Sequence, residues 1–371
     1  MKLSFVNFGS DRCGGNRVLY EVVNGLITRG HDVSYLALAD QNWFSLKTPI
    51  TVCKSPQDLV SAIPESDVLV ATWCATAPLV DQVKGQKGTP AYYCQHHEPI
   101  FFFRPEEQEF VAATYRLNLN LIANSPWLAG VLKEKYGRTS SLIVPGVDQT
   151  VFKPNAAVAS AKHDADVERE KAFADYKDKL QAVVKPDDLP QLGKCAPFKV
   201  LAFASQTPFK GLFDTVLPAL NHVYRLLGDA VEFHLFGALP HAPVGYPERF
   251  LQKIVMHNPK SDTELAELYG GADLVVSGSW AESSPLPHLE AMACGTPVVC
   301  TEYGTEHYGD ALVRVPPRAP RLLGDTVFKV LANRELREKM RLLGLEDVKQ
   351  FTWQNTVDGA ERFFKELVGE A

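Results

Sequence analysis

Two glutamates in one short segment are the first chemistry the sequence offers. Ser277 to Thr301 reads SGSWAESSPLPHLEAMACGTPVVCT, with seven residues between Glu282 and Glu290. Asp273 to Ser277 has the composition of a buried strand. Ser284 followed by Pro285 is an N-cap with a proline in the first turn, so a helix starts there and stops at Gly295. Glu282 then lies in the loop at the strand's carboxyl end and Glu290 about two turns into the helix, so both can point into one cleft. The helix N-terminus presents unpaired N–H groups and partial positive charge between them, a setting that suits a diphosphate. The competing reading is two solvated surface carboxylates, which is what most glutamates are.

Other groups invite the same question. Gly14-Gly15 precedes a helix, and without Cβ atoms its backbone can approach a phosphate or sugar closely; the alternative is a tight turn with no ligand. Gly9 to Gly14 does not supply the G-x-G-x-x-G of a dinucleotide loop. His96, His97 and Glu98 follow a buried strand. His96 could accept a hydrogen bond from a substrate hydroxyl or be a packed histidine, packing is the better reading of His97, and Glu98 is a weaker candidate for orienting a substrate. Ile100-Phe101-Phe102-Phe103 is either core or a mobile aromatic loop for a lipid-linked or sugar substrate. Asp164-Ala165-Asp166 has a spacing that can bind a metal–nucleotide complex, but it follows no strand and reads as a solvated helix face. No other metal-ligand cluster stands out, so chemistry without metal or cofactor is expected. The seven cysteines are odd in number and widely spaced, and read as free thiols.

The elements that must position these groups alternate. Lys2 to Phe8, Asp32 to Leu36, Asp67 to Thr72, Pro90 to Cys94, Asn118 to Ala123 and Ser141 to Val144 read as short strands separated by helical segments, the first helix carrying Val18, Leu19, Val22, Val23 and Leu26. The pattern breaks between Asn155 and about Pro197, an Ala-rich, charged stretch read as a connection with a helical insertion over Ala161 to Val184. It restarts with strands at Lys199 to Phe203, Val231 to Phe236, Leu274 to Ser277 and Pro297 to Cys300. Three helices close the chain at about Pro320 to Ala332, Glu335 to Gln350 and Thr352 to Leu367. Such alternation predicts an α/β fold of two doubly wound, Rossmann-like domains facing a central cleft. The expected boundaries are 1–154 for the first domain, 155–197 for the connection, 198–350 for the second domain and 351–371 for a helix returning to the first.

With 371 residues, 46% of them hydrophobic, the chain can bury two cores. A net charge of -6 argues against nucleic acid as the main partner. No window is apolar and long enough to span a bilayer, and the opening residues are too short and polar for a signal peptide. A cytoplasmic protein is expected, with peripheral contact at the inner membrane admitted.

Taken with its flanks, the Glu282 segment resembles the glutamate-x7-glutamate motif of retaining glycosyltransferases of the GT-B fold, family 4, which also carry the Glu-Ala-Met-Ala-Cys-Gly-Thr-Pro-Val-Val that begins here at Glu290. Gly14-Gly15-Asn16-Arg17, Arg29-Gly30-His31-Asp32-Val33, Ala123-Asn124-Ser125, Pro145-Gly146-Val147-Asp148 and Phe152-Lys153-Pro154 extend the resemblance over nearly the whole chain. It implies that Glu290 accepts hydrogen bonds from the donor ribose, that Glu282 contacts the donor sugar, and that N–H groups near Ser284, Pro285 and Leu286 hold the phosphates. It places the family's diphosphate cations at Lys210, followed by Gly211, and near Ser205, where an arginine is expected and a serine stands. His96 matches the family's histidine, which contacts acceptor or donor sugar, and Gly15 belongs to the donor side. The implied reaction is transfer of a hexosyl or deoxyhexosyl group from a nucleotide sugar to a glycan, lipid-linked or small-molecule acceptor, with retained configuration. Base recognition is expected around His257 to Lys260. Gln95 to Pro99 and Glu302 to Glu306 resemble rhamnosyltransferase-like members, which suits polysaccharide assembly.

Two rivals follow. Ser205 keeps open a nucleotide-sugar-binding protein that has lost turnover, since a missing cation at the leaving group slows bond cleavage. A sugar-nucleotide epimerase or phosphorylase on the same fold is the other.

Overall fold

The computed structural model describes residues 1–9, 13–39, 44–180, 195–237 and 243–370, with backbone alone over 174–180. Thirteen strands and thirteen α-helices are found among them. The strands are β1 (Lys2–Val6), β2 (Asp32–Ala37), β3 (Ile50–Val52), β4 (Val68–Ala71), β5 (Thr89–Cys94), β6 (Asn120–Ala123), β7 (Ser140–Leu142), β8 (Phe198–Phe203), β9 (Val231–Phe236), β10 (Ile254–His257), β11 (Leu274–Val276), β12 (Val298–Thr301) and β13 (Leu312–Val315). The helices are α1 (Gly14–Thr28), α2 (Pro56–Ala62), α3 (Ala77–Val83), α4 (Pro105–Thr114), α5 (Pro126–Tyr136), α6 (Ala156–Leu180), α7 (Leu217–Leu227), α8 (Glu248–Leu251), α9 (Asp262–Gly271), α10 (Leu286–Ala293), α11 (Pro320–Leu331), α12 (Arg334–Asp347) and α13 (Trp353–Val368).

The chain divides into two compact units. One comprises residues 1–146, 282–286 and 350–371, the other 147–281 and 287–349. The first holds a parallel sheet of order β3-β2-β1-β4-β5-β6-β7, the second one of order β10-β9-β8-β11-β12-β13. Both orders reverse direction at their first strand, as doubly wound sheets do. Central strands such as Val68–Ala71 and Leu274–Val276 are buried at every position, which is why they read as continuous apolar runs rather than alternating ones.

In the first unit α1 buries Val18, Leu19, Val22, Val23 and Leu26. The closing helix α13 packs on it. Gly25 admits Val357, whose Cγ2 would stand 2.3 Å from a Cβ at that position, and Phe364 meets Phe5 edge-on at 6.1 Å. Arg29 reaches both Asp358 and Glu361, and His31 Nε2 lies 3.1 Å from Glu361.

In the second unit α6 covers most of the expected insertion helix; residues 181–184 lie outside the described residues. The helix is no bare connection, for Phe173 joins the second core and the buried Arg169 guanidinium spans both carboxylate oxygens of Asp273 at 3.0 and 3.1 Å while stacking over Phe198. Asp166, expected to be solvated, instead pairs with Arg169 and, at 2.6 Å, with Arg337. Asp164 is exposed, as expected.

Leaving Arg169 buried without its carboxylate partner is costly, because desolvation is then uncompensated. Asp273→Ala is expected to destabilise the second unit by about 3 kcal/mol in urea unfolding, and Asp164→Ala by less than about 0.5 kcal/mol.

Candidate functional site

The second unit's candidates sit on loops leaving the carboxyl ends of β8 and β11. After Phe203 the chain turns at Ser205, whose Oγ accepts the Thr207 N–H at 3.1 Å, and passes through a 3-10 turn over Pro208–Lys210. Gly211 follows with φ +68°. A Cβ there would lie 2.0 Å from the Gly278 carbonyl oxygen, so only glycine allows the two backbones to meet. Gly278 is constrained in turn, since its own Cβ would stand 2.8 Å from Val216 Cγ2. The junction is completed by the Phe209 carbonyl, which accepts the Trp280 N–H at 2.8 Å and the Ser279 hydroxyl at 2.9 Å. The Val216 N–H donates to the Gly211 carbonyl at 2.8 Å, giving one π-helical turn before α7, an irregularity common at functional sites. Lys210, its Nζ 5.6 Å from the Phe209 ring centre, is therefore carried on a fixed turn.

Glu290 lies on α10, which starts at Leu286, one residue beyond the expected Pro285, and ends at Ala293 before Gly295 with φ +72°. The hydroxyl of fully buried Tyr269 donates to Glu290 at 2.9 Å. Burial raises the Tyr269 pKa, and the Glu290 charge raises it further, so the phenol stays a donor. The Cys294 thiol is pushed up to about 12 mainly by burial and stays protonated.

Sequence reasoning missed Trp280, which borders the Lys210 turn, and Arg318, which stacks on Trp280. Trp280 donates its indole N–H to Asp214 at 3.3 Å, and the Arg318 guanidinium stacks 3.7 Å above the indole ring. Arg318 has φ +55° and is the one non-glycine residue with positive φ among the described residues, at a strain of roughly 1–2 kcal/mol. The signal was Pro316-Pro317-Arg318-Ala319-Pro320, a charge inside a proline-stiffened loop. His257, read as part of a base-recognition loop, ends β10, and its ring stacks on His234 with their nitrogens 2.8 Å apart.

In the first unit Gly14 and Gly15 open α1, where Cys13 caps Asn16. A Cβ on Gly15 would lie 3.4 Å from the Gln95 amide and one on Gly14 3.7 Å from Leu286. Residues 282–286 belong to this unit, and Ser283 anchors them: its hydroxyl donates to Asn124 and lies 2.9 Å from Ser125 Oγ, which also caps α5. Thus Glu282, Ser284, Pro285 and Leu286 fall with Gly14, Gly15 and His96 in the first unit, and Ser205, Lys210 and Glu290 in the second.

The His96 ring is buried, 4.8 Å from the Phe101 ring and 6.1 Å from Trp127, while Phe101 stacks on Trp73. Only the tip of the aromatic run is open, with Phe103 75% exposed. His97 bonds Tyr136 at 2.8 Å, and burial lowers it to about 4, the packed role expected of it. Glu98 is the unexpected group. Its buried carboxylate accepts from the Cys74 N–H at 2.6 Å and the Tyr92 hydroxyl at 3.0 Å, while its own N–H donates to Tyr115, whose hydroxyl donates to the His96 carbonyl at 3.0 Å. Burial pushes its pKa up to about 7 against those hydrogen bonds.

A family model described as "Glycosyl transferases group 1" matches residues 198–333. A D-inositol 3-phosphate glycosyltransferase of Segniliparus rotundus is 27% identical over 68% of this chain and 52% of its own length, and an O-antigen chain mannosyltransferase B of Escherichia coli is 36% identical over 25% of each. The chain spans about half the length of the first of these curated relatives. Among solved structures, sucrose-phosphate synthase from Thermosynechococcus elongatus superposes with TM-score 0.77 at 15% identity, covering 100% of both chains. Anabaena HepE, solved with UDP and glucose, gives 0.73 at 15% identity, covering 98% and 99%. These likenesses establish the GT-B fold.

Glu98 predicts a pH dependence. A carboxyl whose pKa rises from 4.5 unfolded to about 7 folded keeps its proton only in the folded state between those values, so stability falls as pH rises through this window. The loss is on the order of 3 kcal/mol. Glu98→Gln retains an acceptor for the Cys74 N–H and should remove this slope, so that the difference between variant and wild type in calorimetry grows from pH 4.5 to 7. A constant difference would contradict the buried-carboxyl account.

Proposed function

We infer, from the match of residues 198–333 to the family model of the glycosyl transferases group 1, that the chain transfers a glycosyl group from a nucleoside-diphosphate sugar to an acceptor hydroxyl. The observation that carries this reading is the Lys210 turn locked by Gly211 against Gly278, which presents a fixed cation at the carboxyl edge of a doubly wound sheet. Lys210 stabilises the negative charge that grows on the diphosphate as its bond to the anomeric carbon breaks. Glu290, oriented by Tyr269, accepts hydrogen bonds from the donor ribose. Glu282 contacts the donor sugar, the N–H groups of Ser284 and Leu286 hold phosphate oxygens, Gly14 and Gly15 let the backbone approach the donor, and His96 contacts the donor sugar or the acceptor hydroxyl.

Configuration is retained: the acceptor oxygen bonds the anomeric carbon on the face the diphosphate leaves, and the acceptor proton passes to a leaving phosphate oxygen. Positioning and fixed charge do the work, with no carboxylate base and no metal invoked. HepE was solved with UDP-glucose, which makes UDP-sugars the first donors to try. Ser205, uncharged where the family carries arginine, favours one second reading: a protein that binds nucleotide sugars without turnover. Nucleotide release that depends on acceptor separates transfer from binding alone.

Thermal stability in EDTA against UDP, GDP, TDP and ADP sugars tests the donor site. One nucleotide class at a hundred times its Kd should stabilise the wild type by about 2.7 kcal/mol, and Glu290→Ala should lose most of this. If no nucleotide shifts the wild type, the reading fails.

A further inference from the structure

We propose that Arg318 is a second cation for the diphosphate, standing in for the charge that Ser205 does not provide. The inference rests on the donor site proposed above and adds to it a residue from a third loop.

Three features of the second unit carry it. Lys210-Gly211 leaves β8 and is welded to Gly278–Trp280, which leaves β11, through the Gly211–Gly278 approach and two hydrogen bonds to the Phe209 carbonyl. The Trp280 indole extends this junction, since its Nε1 would lie 3.4 Å from a Cβ on Gly211. Arg318, beyond β13, then stacks on that indole at 3.7 Å. The indole thus links the turn carrying Lys210 to a guanidinium that leaves the sheet two strands away, with strand order β8-β11-β12-β13 placing all three loops on one edge.

The second feature is conformational. Arg318 holds φ +55° between prolines, where glycine would be relaxed, and an observed strain of this kind is a pointer to function. The third is chemical. Arg318 is exposed, and among the described residues it stacks on a ring and pairs with no carboxylate. Stacking fixes the guanidinium plane while leaving its edge N–H groups for a planar or forked anion, the geometry in which arginine recognises phosphate. Asp214, bonded to Trp280 Nε1, anchors the ring from its polar edge and leaves the face to Arg318.

The test compares UDP, GDP and ADP with their monophosphates by calorimetric titration. Arg318→Gly is the informative variant because it removes the cation and relaxes the backbone together; it should melt within about 2 °C of wild type. Its affinity for the bound nucleoside diphosphate should fall about tenfold, with the monophosphate changed less than about threefold. Ser205→Arg in the Arg318→Gly background should recover most of the loss, which a structural role for Arg318 would not produce. Lys210→Ala distinguishes the two claims. If it loses diphosphate affinity while Arg318→Gly does not, the donor site stands and the Arg318 assignment is overturned. Equal losses of diphosphate and monophosphate in Arg318→Gly also overturn it. A wild type that binds no nucleotide removes the donor site, and Arg318's role with it.

Discussion

The approach of Gly211 to the Gly278 carbonyl is the constraint on which the second unit's candidate site depends. Two loops leave neighbouring parallel strands. Here a Cβ on Gly211 would stand 2.0 Å from an oxygen, so the backbones touch only because no Cβ exists. Contact at that range lets the Phe209 carbonyl collect two donors from the Gly278–Trp280 loop and fixes the turn that carries Lys210. A cation on a four-carbon stem is worth most to a leaving group when its base does not have to be reorganised.

The two units solve their anchoring problems differently. The first adds to the Arg29 pairs on α13 a buried hydrogen-bond network: Glu98 ties the end of β4 to β5 and, through Tyr115, to the backbone of His96. Ser283 brings residues 282–286 into the same unit through Asn124 and Ser125. The second uses charge, with Arg169 clamped on Asp273 so that the inserted helix α6 becomes part of the core rather than a tether.

Much of this was legible in the sequence, for reasons tied to particular residues. Strands such as Val68–Ala71 were found because burial on both faces demands unbroken apolar runs, and α1 and α13 because their apolar residues recur at helical spacing. Three of the four edge strands were missed, the edge strand Ser140–Leu142 being the one the sequence showed. Ile50–Val52 is three residues long and mostly exposed, Ile254–His257 mixes exposed and half-buried positions, and Leu312–Val315 carries an arginine, so none has the signature of a central strand. Among the candidate residues, Glu282, Glu290 and Lys210 were singled out by local strings. Trp280 and Arg318 were not, because their meeting joins residues 38 positions apart through a contact that no periodicity encodes. The assignment of 282–286 to one unit and Glu290 to the other was equally invisible, since it depends on which distant side chains Ser283 finds.

A crystal structure of the chain soaked with UDP, or with whichever nucleoside diphosphate binds, tests the central claim most directly. The account predicts phosphate oxygens within hydrogen-bond distance, about 3 Å, of Lys210 Nζ and ribose hydroxyls on the Glu290 carboxylate. A nucleotide bound away from both residues, at a concentration that saturates the protein in solution, would contradict it.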